Sequence, residues 1–109
     1  MLDLTETINR IKTFRDERDW AKFHNSKDLA IAISIEANEL LELFLWKGAQ
    51  EVDDEKLRAE LADVLVYCLL LSDKHGLDIQ QIIHEKLESN GLKYPVEKSK
   101  GSAKKYNEL

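Results

Sequence analysis

Apolar residues recur at helical spacing along most of the chain. Leu4, Ile8, Ile11 and Phe14 share one face of a helix that the pattern places at about Leu4–Lys22. No segment alternates apolar and polar residues over enough positions to predict a strand, and only four glycines and one proline interrupt the chain. The pattern therefore predicts an all-α fold, a four-helix bundle whose first helix is amphipathic and borders solvent.

Capping residues delimit the other three helices. The second begins at Asn25 or Ser26 and is predicted to end near Lys47, with Gly48 in the left-handed conformation that commonly closes a helix. The third helix is predicted to begin at Asp53 or Asp54 and to end at His75–Gly76. The fourth is predicted to begin with the capping-box pattern from Asp78 to Gln81 and to end near Asn90–Gly91.

The second and third helices are apolar on every side. Their large apolar residues are Leu29, Ile31, Ile33, Ile35, Leu40, Leu41, Leu43 and Phe44 in the second, and Leu61, Val64, Leu65, Val66, Leu69, Leu70 and Leu71 in the third. Such helices must be covered all round, and two further helices of the same chain are too few to do so. We therefore expect a second subunit to pack here, in a homo-oligomer that is a dimer or a tetramer.

Two acidic pairs interrupt these apolar helices: Glu36 and Glu39 in the second, Glu60 and Asp63 in the third. Residues three apart share a helix face, and an antiparallel hairpin would bring the pairs to a similar height. A bound divalent cation would offset the cost of burying these carboxylates, and all-oxygen ligands favour Mg²⁺ or Mn²⁺, which commonly bind substrate phosphates. The alternative is that some of them lie at a solvent edge or pair with lysine and arginine. Glu42 either joins the cluster or faces water.

The histidines exclude a di-iron carboxylate bundle. That class requires a histidine three residues after a glutamate on two helices, whereas Glu36 and Glu60 are each followed at that spacing by another acid. His75 and His84 are scattered, and we expect them to be structural or exposed.

Several aromatic residues and one histidine flank the acidic helices. They are Trp20, Phe23 and His24 before the second helix, Trp46 at its end, and Tyr67 four residues after Asp63. Nucleobases stack on aromatic faces, so this arrangement suits a nucleotide whose phosphates lie at a metal. Aromatic residues at such spacings are also common in cores, and composition alone favours that structural role.

Length and charge narrow the function further. The 109 residues suit one domain, residues 1–95, followed by a tail, residues 96–109, that carries +2 while the rest of the chain carries −7. The net charge of −5 excludes a general binder of nucleic-acid polymers.

The single cysteine, Cys68, lies among apolar residues and indicates a reducing compartment. Without a basic and apolar leader or a long apolar run, we expect a cytoplasmic protein that does not insert into membranes. From composition alone the tail is a solvated end, and its closure over bound phosphates is the alternative.

These motifs together resemble the MazG-like nucleoside triphosphate pyrophosphohydrolases, in particular the short branch that includes the dCTP pyrophosphatases. The matching stretches are Arg15–Trp20 with Phe23 and His24, Glu36 and Glu39 leading to Leu43–Lys47, Glu60 with Asp63 and Tyr67, and Lys86–Asn90, Tyr94–Pro95 and Lys105–Leu109. The resemblance spans nearly the whole chain.

The resemblance implies hydrolysis of a (deoxy)nucleoside triphosphate, dCTP or a similar one, between the α and β phosphates. It implies that Glu36, Glu39, Glu60 and Asp63 bind Mg²⁺. One of these carboxylates can accept the proton of the attacking water, and we name Glu39 as this general base. It further assigns Trp20, Phe23, His24, Trp46 and Tyr67 to the base and sugar pocket, and Lys86 and Asn90 to the phosphates. The alternative is a helical protein-interaction module with a structural metal and no catalysis.

Two positions depart from the family pattern. Ile35 stands where many longer relatives carry another acid, and this weakens the case for a broad-specificity metal site. Ile11 stands where some relatives carry a histidine near the substrate, so the base preference is expected to differ from theirs.

Overall fold

The structure is a computed structural model that describes residues 3–109, and every regular element in this range is helical. The α-helices are α1 (Leu4–Glu17), α2 (Ser26–Glu42), α3 (Asp54–Lys74), α4 (Ile79–Lys93) and α5 (Val96–Ser99), with single 3₁₀ turns at Ala21–Phe23 and Tyr106–Glu108. The prediction of an all-α fold is confirmed. No helix in residues 3–109 is long and apolar enough to cross a bilayer.

The chain divides after Gly76 into two compact units. In the first unit, α2 packs along α3 and α1 packs against α3. Its most deeply buried apolar side chains, Leu29 and Leu70, are 2% and 5% exposed. In the second unit, residues 77–109, the rings of Tyr94 and Tyr106 meet edge to face at 6.2 Å. The predicted boundary between residues 95 and 96 remains a prediction.

Side-chain caps start the helices where the sequence indicates. Asn25 accepts a hydrogen bond from the backbone N–H of Asp28, and Asp53 caps α3 by accepting from Glu55. Asp78 accepts from the N–H of Gln81, while the Gln81 side chain donates to Glu85 instead of returning to the cap. Each cap satisfies a backbone N–H that lacks a partner within the helix.

Three predicted helix ends are wrong. Helix α1 ends at Glu17, because the next turn requires Asp19 to adopt a positive φ of 55°. Helix α2 ends at Glu42 and continues as turns, and the left-handed residue there is Trp46, with φ 62°, instead of Gly48. Helix α4 continues through Gly91 to Lys93. The end of α3 at His75–Gly76 is confirmed, with Gly76 at φ 64°.

Large apolar side chains remain exposed on α2 and α3. Ile31 and Ile35 on α2 are 48% and 52% exposed, and Leu61 and Leu65 on α3 are 45% and 53% exposed. Phe14, placed by the sequence on the inner face of α1, is also half exposed. The single chain thus leaves uncovered much of the apolar surface for which the sequence predicts a second subunit.

Candidate active site

Three of the four predicted metal ligands converge in the first unit. Glu36 of α2 and Glu60 and Asp63 of α3 each offer a carboxylate oxygen, and these oxygens lie within 4.8 Å of one another. The packing of α2 along α3 produces this convergence, because each helix directs its acids toward the other. Glu36 and Glu60 are half-buried, whereas Asp63 is exposed. We call Glu36, Glu60 and Asp63 the carboxylate cluster.

The carboxylate cluster holds more negative charge than its surroundings favour. One oxygen of Glu36 and one of Glu60 are buried without a hydrogen-bond partner among residues 3–109. Burial raises the pKa of Glu36 to about 7, with further contributions from a hydrogen bond to Glu39 and from repulsion by Glu39, Asp63 and Glu60. The pKa of Glu60 is raised too, first by burial and then by Glu39. A divalent cation bound here would offset the repulsion between the acids and would give the two unpaired oxygens a partner.

Glu39 lies beside the carboxylate cluster and is not one of its three converging members. Its carboxyl group is close enough to Glu36 and Glu60 to raise the pKa of both. The role of Glu39 as the proton acceptor remains a prediction. Glu42 is exposed and contributes to the raised pKa of Glu60.

Cations do not neutralise these acids. Among residues 3–109, Glu36, Glu39, Glu60 and Asp63 form no ion pair with a lysine, arginine or histidine within 4.0 Å. The structure therefore contradicts the alternative in which the acids pair with lysine or arginine. The donor set consists of carboxylate oxygens alone, so it fits a hard divalent cation such as Mg²⁺ or Mn²⁺.

The predicted aromatic residues separate into different surroundings. Tyr67 lies next to the carboxylate cluster: its pKa is raised by burial and then by Glu36, Asp63 and Glu39. His24 contacts Tyr67, with ring centroids 6.5 Å apart and the rings edge to face. Trp20 packs edge to face against Phe14 at 5.9 Å.

Two other predicted pocket residues are largely exposed. Phe23 is 62% exposed and lies under the ammonium group of Lys22, while Trp46 is 93% exposed. Trp46 lines a surface cavity of about 530 Å³ together with Leu41, Phe44 and other residues at the end of α2. Within the first unit, therefore, the Trp46 ring lies almost entirely in solvent.

Lys86 and Asn90 belong to the second unit. They lie one turn apart on α4, where Lys86 is exposed and Asn90 is half-buried. This spacing places both side chains on one face of the helix, as the sequence predicts. Their assignment to substrate phosphates remains a prediction.

A cavity between α1 and α3 adds residues that the motifs in the sequence do not indicate. It has a volume of about 430 Å³ and is lined by Thr7, Arg10, Ile11, Phe14, Asp63 and Val66. Asp63 connects it to the carboxylate cluster, and Phe14 and Trp20 form one aromatic pair at its edge. The residues of α1 recur at a spacing of three to four, which gives one helix face, but only the packing against α3 shows that this face borders Asp63.

Comparison with known proteins identifies the class to which this fold and site belong. The MazG-like family model matches residues 31–109, and the chain belongs to the MazG-like family. Its sequence is 38% identical to mouse dCTP pyrophosphatase 1 over 113 residues, covering 95% of this chain and 66% of the mouse protein. For human dCTP pyrophosphatase 1 the identity is 34%, with the same coverage. The chain thus spans about two thirds of the length of these relatives, 66%.

A solved structure shows the same fold. A pyrophosphatase from Archaeoglobus fulgidus matches with a TM-score of 0.80 and 36% sequence identity, covering 87% of this chain and 94% of the archaeal one. These matches confirm the family resemblance drawn from the motifs.

Proposed function

We propose that this protein is a Mg²⁺-dependent nucleoside triphosphate pyrophosphohydrolase. It would cleave a (deoxy)nucleoside triphosphate between the α and β phosphates, giving the monophosphate and pyrophosphate. The observation that carries the proposal is the carboxylate cluster, three converging acids with two orphaned buried oxygens and no neutralising cation among residues 3–109. The relatives named dCTP pyrophosphatase 1 support dCTP or a similar nucleotide as the substrate.

The residues of the carboxylate cluster would bind the metal, and Glu39 would act beside them. Glu36, Glu60 and Asp63 supply the oxygen ligands. When bound, Mg²⁺ would neutralise phosphate oxygens and lower the pKa of the attacking water. Glu39, next to the cluster, would accept the proton of that water. Mn²⁺ would suit the same ligands.

The nucleoside would occupy the cavity between α1 and α3, which Asp63 helps to line. Phosphates bound at the carboxylate cluster would leave the sugar and base to extend along α1, where Phe14, Ile11 and Val66 provide apolar contacts. Trp20 would support this wall through Phe14, and Tyr67 would lie at the phosphate end. We retain the predicted roles of Phe23 and Trp46 at the base and sugar, and those of Lys86 and Asn90 at the phosphates, as part of the proposal.

We further propose that the active enzyme is a homo-oligomer in a reducing, cytoplasmic compartment. The exposed apolar residues of α2 and α3, Ile35 and Leu65 among them, support a helical interface. The single free cysteine, Cys68, supports the compartment.

The test is product analysis on a panel of canonical and modified nucleoside triphosphates, with Mg²⁺ and with a chelator. We expect chelator-sensitive monophosphate and an equal amount of pyrophosphate, fastest for dCTP-like substrates. Diphosphate with orthophosphate would contradict the proposed cleavage position. No product from any nucleotide would instead favour the helical interaction module.

A further inference from the structure

A second polar cavity lies in the first unit, where α1 ends, α2 begins and α3 ends. Its volume is about 200 Å³, and its lining is Arg15, Ala21, His24, Leu29, Leu70 and Lys74. None of the four predicted metal ligands lines it. We call it the basic cavity, because two cationic side chains and an imidazole surround it. Its apolar wall belongs to the core, since Leu29 and Leu70 are the most deeply buried apolar side chains among residues 3–109.

The guanidinium group of Arg15 is held in place beside this cavity. The Arg15 side chain is 17% exposed, its Nε donates to Asp16 at 2.7 Å, and its Nη1 lies 4.0 Å from Asp73. Lys12 shares Asp73, with its Nζ at 3.4 Å from that carboxylate. Asp16 and Asp73 therefore fix Arg15 from outside, and neither acid lines the cavity. A fixed guanidinium group loses little further freedom when it binds an anion.

The other two basic groups lack anionic partners. Among the ion pairs formed by residues 3–109, none includes Lys74. The Nδ1 atom of His24 is buried and has no hydrogen-bond partner within the described part of the chain, residues 3–109. Burial lowers the pKa of His24, and the nearby charges of Arg15 and Lys74 lower it further. The potential at the imidazole is thus positive, although the whole chain carries −5.

The rim of the basic cavity is braced by a contact between helices. Ser26 Oγ, at the start of α2, lies 2.8 Å from Nε2 of His75, the residue after Lys74 at the end of α3. This hydrogen bond joins the helix ends that carry Leu29 and Lys74. The cavity therefore exists before any ligand arrives, and its apolar floor strengthens charge interactions relative to water.

We propose that the basic cavity is a binding site for a phosphate-type oxyanion, orthophosphate or pyrophosphate, held by Arg15, Lys74 and His24. Arg15 offers paired donors, Lys74 an unpaired charge and His24 a further donor on protonation. The volume admits one or two phosphate groups with water and is too small for a whole nucleotide. This assignment replaces the base and sugar role predicted for His24. The binding does not depend on the proposed hydrolysis, and it requires no metal.

The first experiment follows the imidazole resonances of histidine-labelled, metal-free protein by NMR at pH 7.5 in a chelator. Sodium orthophosphate, sodium pyrophosphate and dCMP are titrated separately, each against sodium chloride at equal ionic strength. We expect a saturable shift of the His24 resonances with orthophosphate and pyrophosphate, and a rise in the pKa of His24 because a bound anion favours the imidazolium form. The exposed His84 of α4 serves as the internal reference and should respond only to ionic strength.

Charge variants test which residues hold the anion. Lys74→Ala should weaken orthophosphate binding by about tenfold, the loss of one charge-assisted hydrogen bond, and Lys74→Arg should restore most of it. Lys27→Ala is the matched control, because Lys27 is an exposed lysine of α2 that does not line the cavity. A response of His24 that fails to saturate, that is equal in Lys74→Ala and Lys27→Ala, or that only dCMP produces would overturn the proposal.

Discussion

The first unit contains two half-buried charged regions, and they differ in how their charges are balanced. At the carboxylate cluster the nearest charged neighbours are other acids, so burial and repulsion act together and raise the pKa of Glu36 to about 7. At the basic cavity Arg15 is already paired with Asp16 and Asp73, whereas Lys74 and His24 form no ion pair with any acid of residues 3–109. The first region therefore favours a divalent cation, whereas the second favours an anion.

Removing one metal ligand should have the largest effect. We expect Glu60→Gln to lower kcat/KM for the best nucleotide at least ~100-fold, because the substitution removes an anionic oxygen that would bind Mg²⁺. Steady-state kinetics with the Mg²⁺ concentration varied would measure the loss. Circular dichroism should show the same helical content as in the unsubstituted protein.

The matched control is Glu55→Gln, an exposed glutamate in the first turn of the same helix. It should retain activity within about twofold, because Glu55 lies outside the carboxylate cluster. Equal losses in the two variants would show that α3 tolerates no such change, and full activity in Glu60→Gln would remove the cluster from the mechanism.

Stability without metal should depend on pH through Glu36. Its pKa is about 7 in the folded chain against 4.5 as the model-peptide value, so the folded state holds the proton more tightly. This contribution is complete below pH 4.5 and is lost as the pH rises through about 7. In chelator, Glu36→Gln should therefore raise the free energy of unfolding at pH 8 by ~1–2 kcal/mol, less than the full shift would give because the carboxylate is partly solvated.

Urea unfolding at pH 5 and pH 8 would measure this effect. Saturating Mg²⁺ should stabilise the unsubstituted protein at pH 8 and stabilise Glu36→Gln less, because one ligand is missing. A stability that is independent of pH, or equal stabilisation of both proteins by Mg²⁺, would contradict the charge balance inferred for the cluster.

The basic cavity should respond to acid in the opposite direction. The folded-state pKa of His24 lies below the ordinary histidine value of 6.5, so the unfolded chain takes up the proton first as the pH falls. Above pH 6.5 both states are neutral and His24 contributes nothing. Below it the folded state loses stability until His24 titrates there as well. Thermal unfolding between pH 7.5 and 5 should show a smaller decline in His24→Gln, with His84→Gln as the control.

The smallest effect concerns Trp46. Its side chain is 93% exposed in the single chain, so Trp46→Ala should change the free energy of unfolding of a dilute, monomeric sample by less than about 0.5 kcal/mol. Its consequences should appear in nucleotide affinity or in self-association, measured by KM and by light scattering. A large loss of monomer stability would show that the ring packs against the rest of the chain.

Local chemistry was predictable wherever it depends on neighbours in sequence. Asn25, Asp53 and Asp78 cap helices because a side-chain oxygen reaches a backbone N–H two or three residues ahead, whatever the rest of the chain does. Gly48 shows the limit of such reasoning. A glycine near a helix end is favoured for positive φ, but here the chain turns earlier and Trp46 adopts that conformation.

The sites show the same division. The spacing of Glu36, Glu39, Glu60 and Asp63 was sufficient to predict carboxylates on facing helices. That three converge within 4.8 Å while Glu39 stands beside them depends on how α2 and α3 are placed against each other. The positions of Phe14 and Arg10 at the cavity beside Asp63 depend likewise on the contact between α1 and α3.

Sequence alone was sufficient to predict that the chain is helical, that acids interrupt its two most apolar helices, and that its motifs are those of the MazG-like family. Periodicity, capping and residue type are local properties, so they can be read without knowing the fold. The balance of charge at the carboxylate cluster and the basic cavity, in contrast, depends on the tertiary structure. Arg15, His24 and Lys74 come from three different segments, and only packing joins them around one cavity. Burial and the distances between charges set pKa values and orphaned atoms, and these quantities exist only once the helices are assembled.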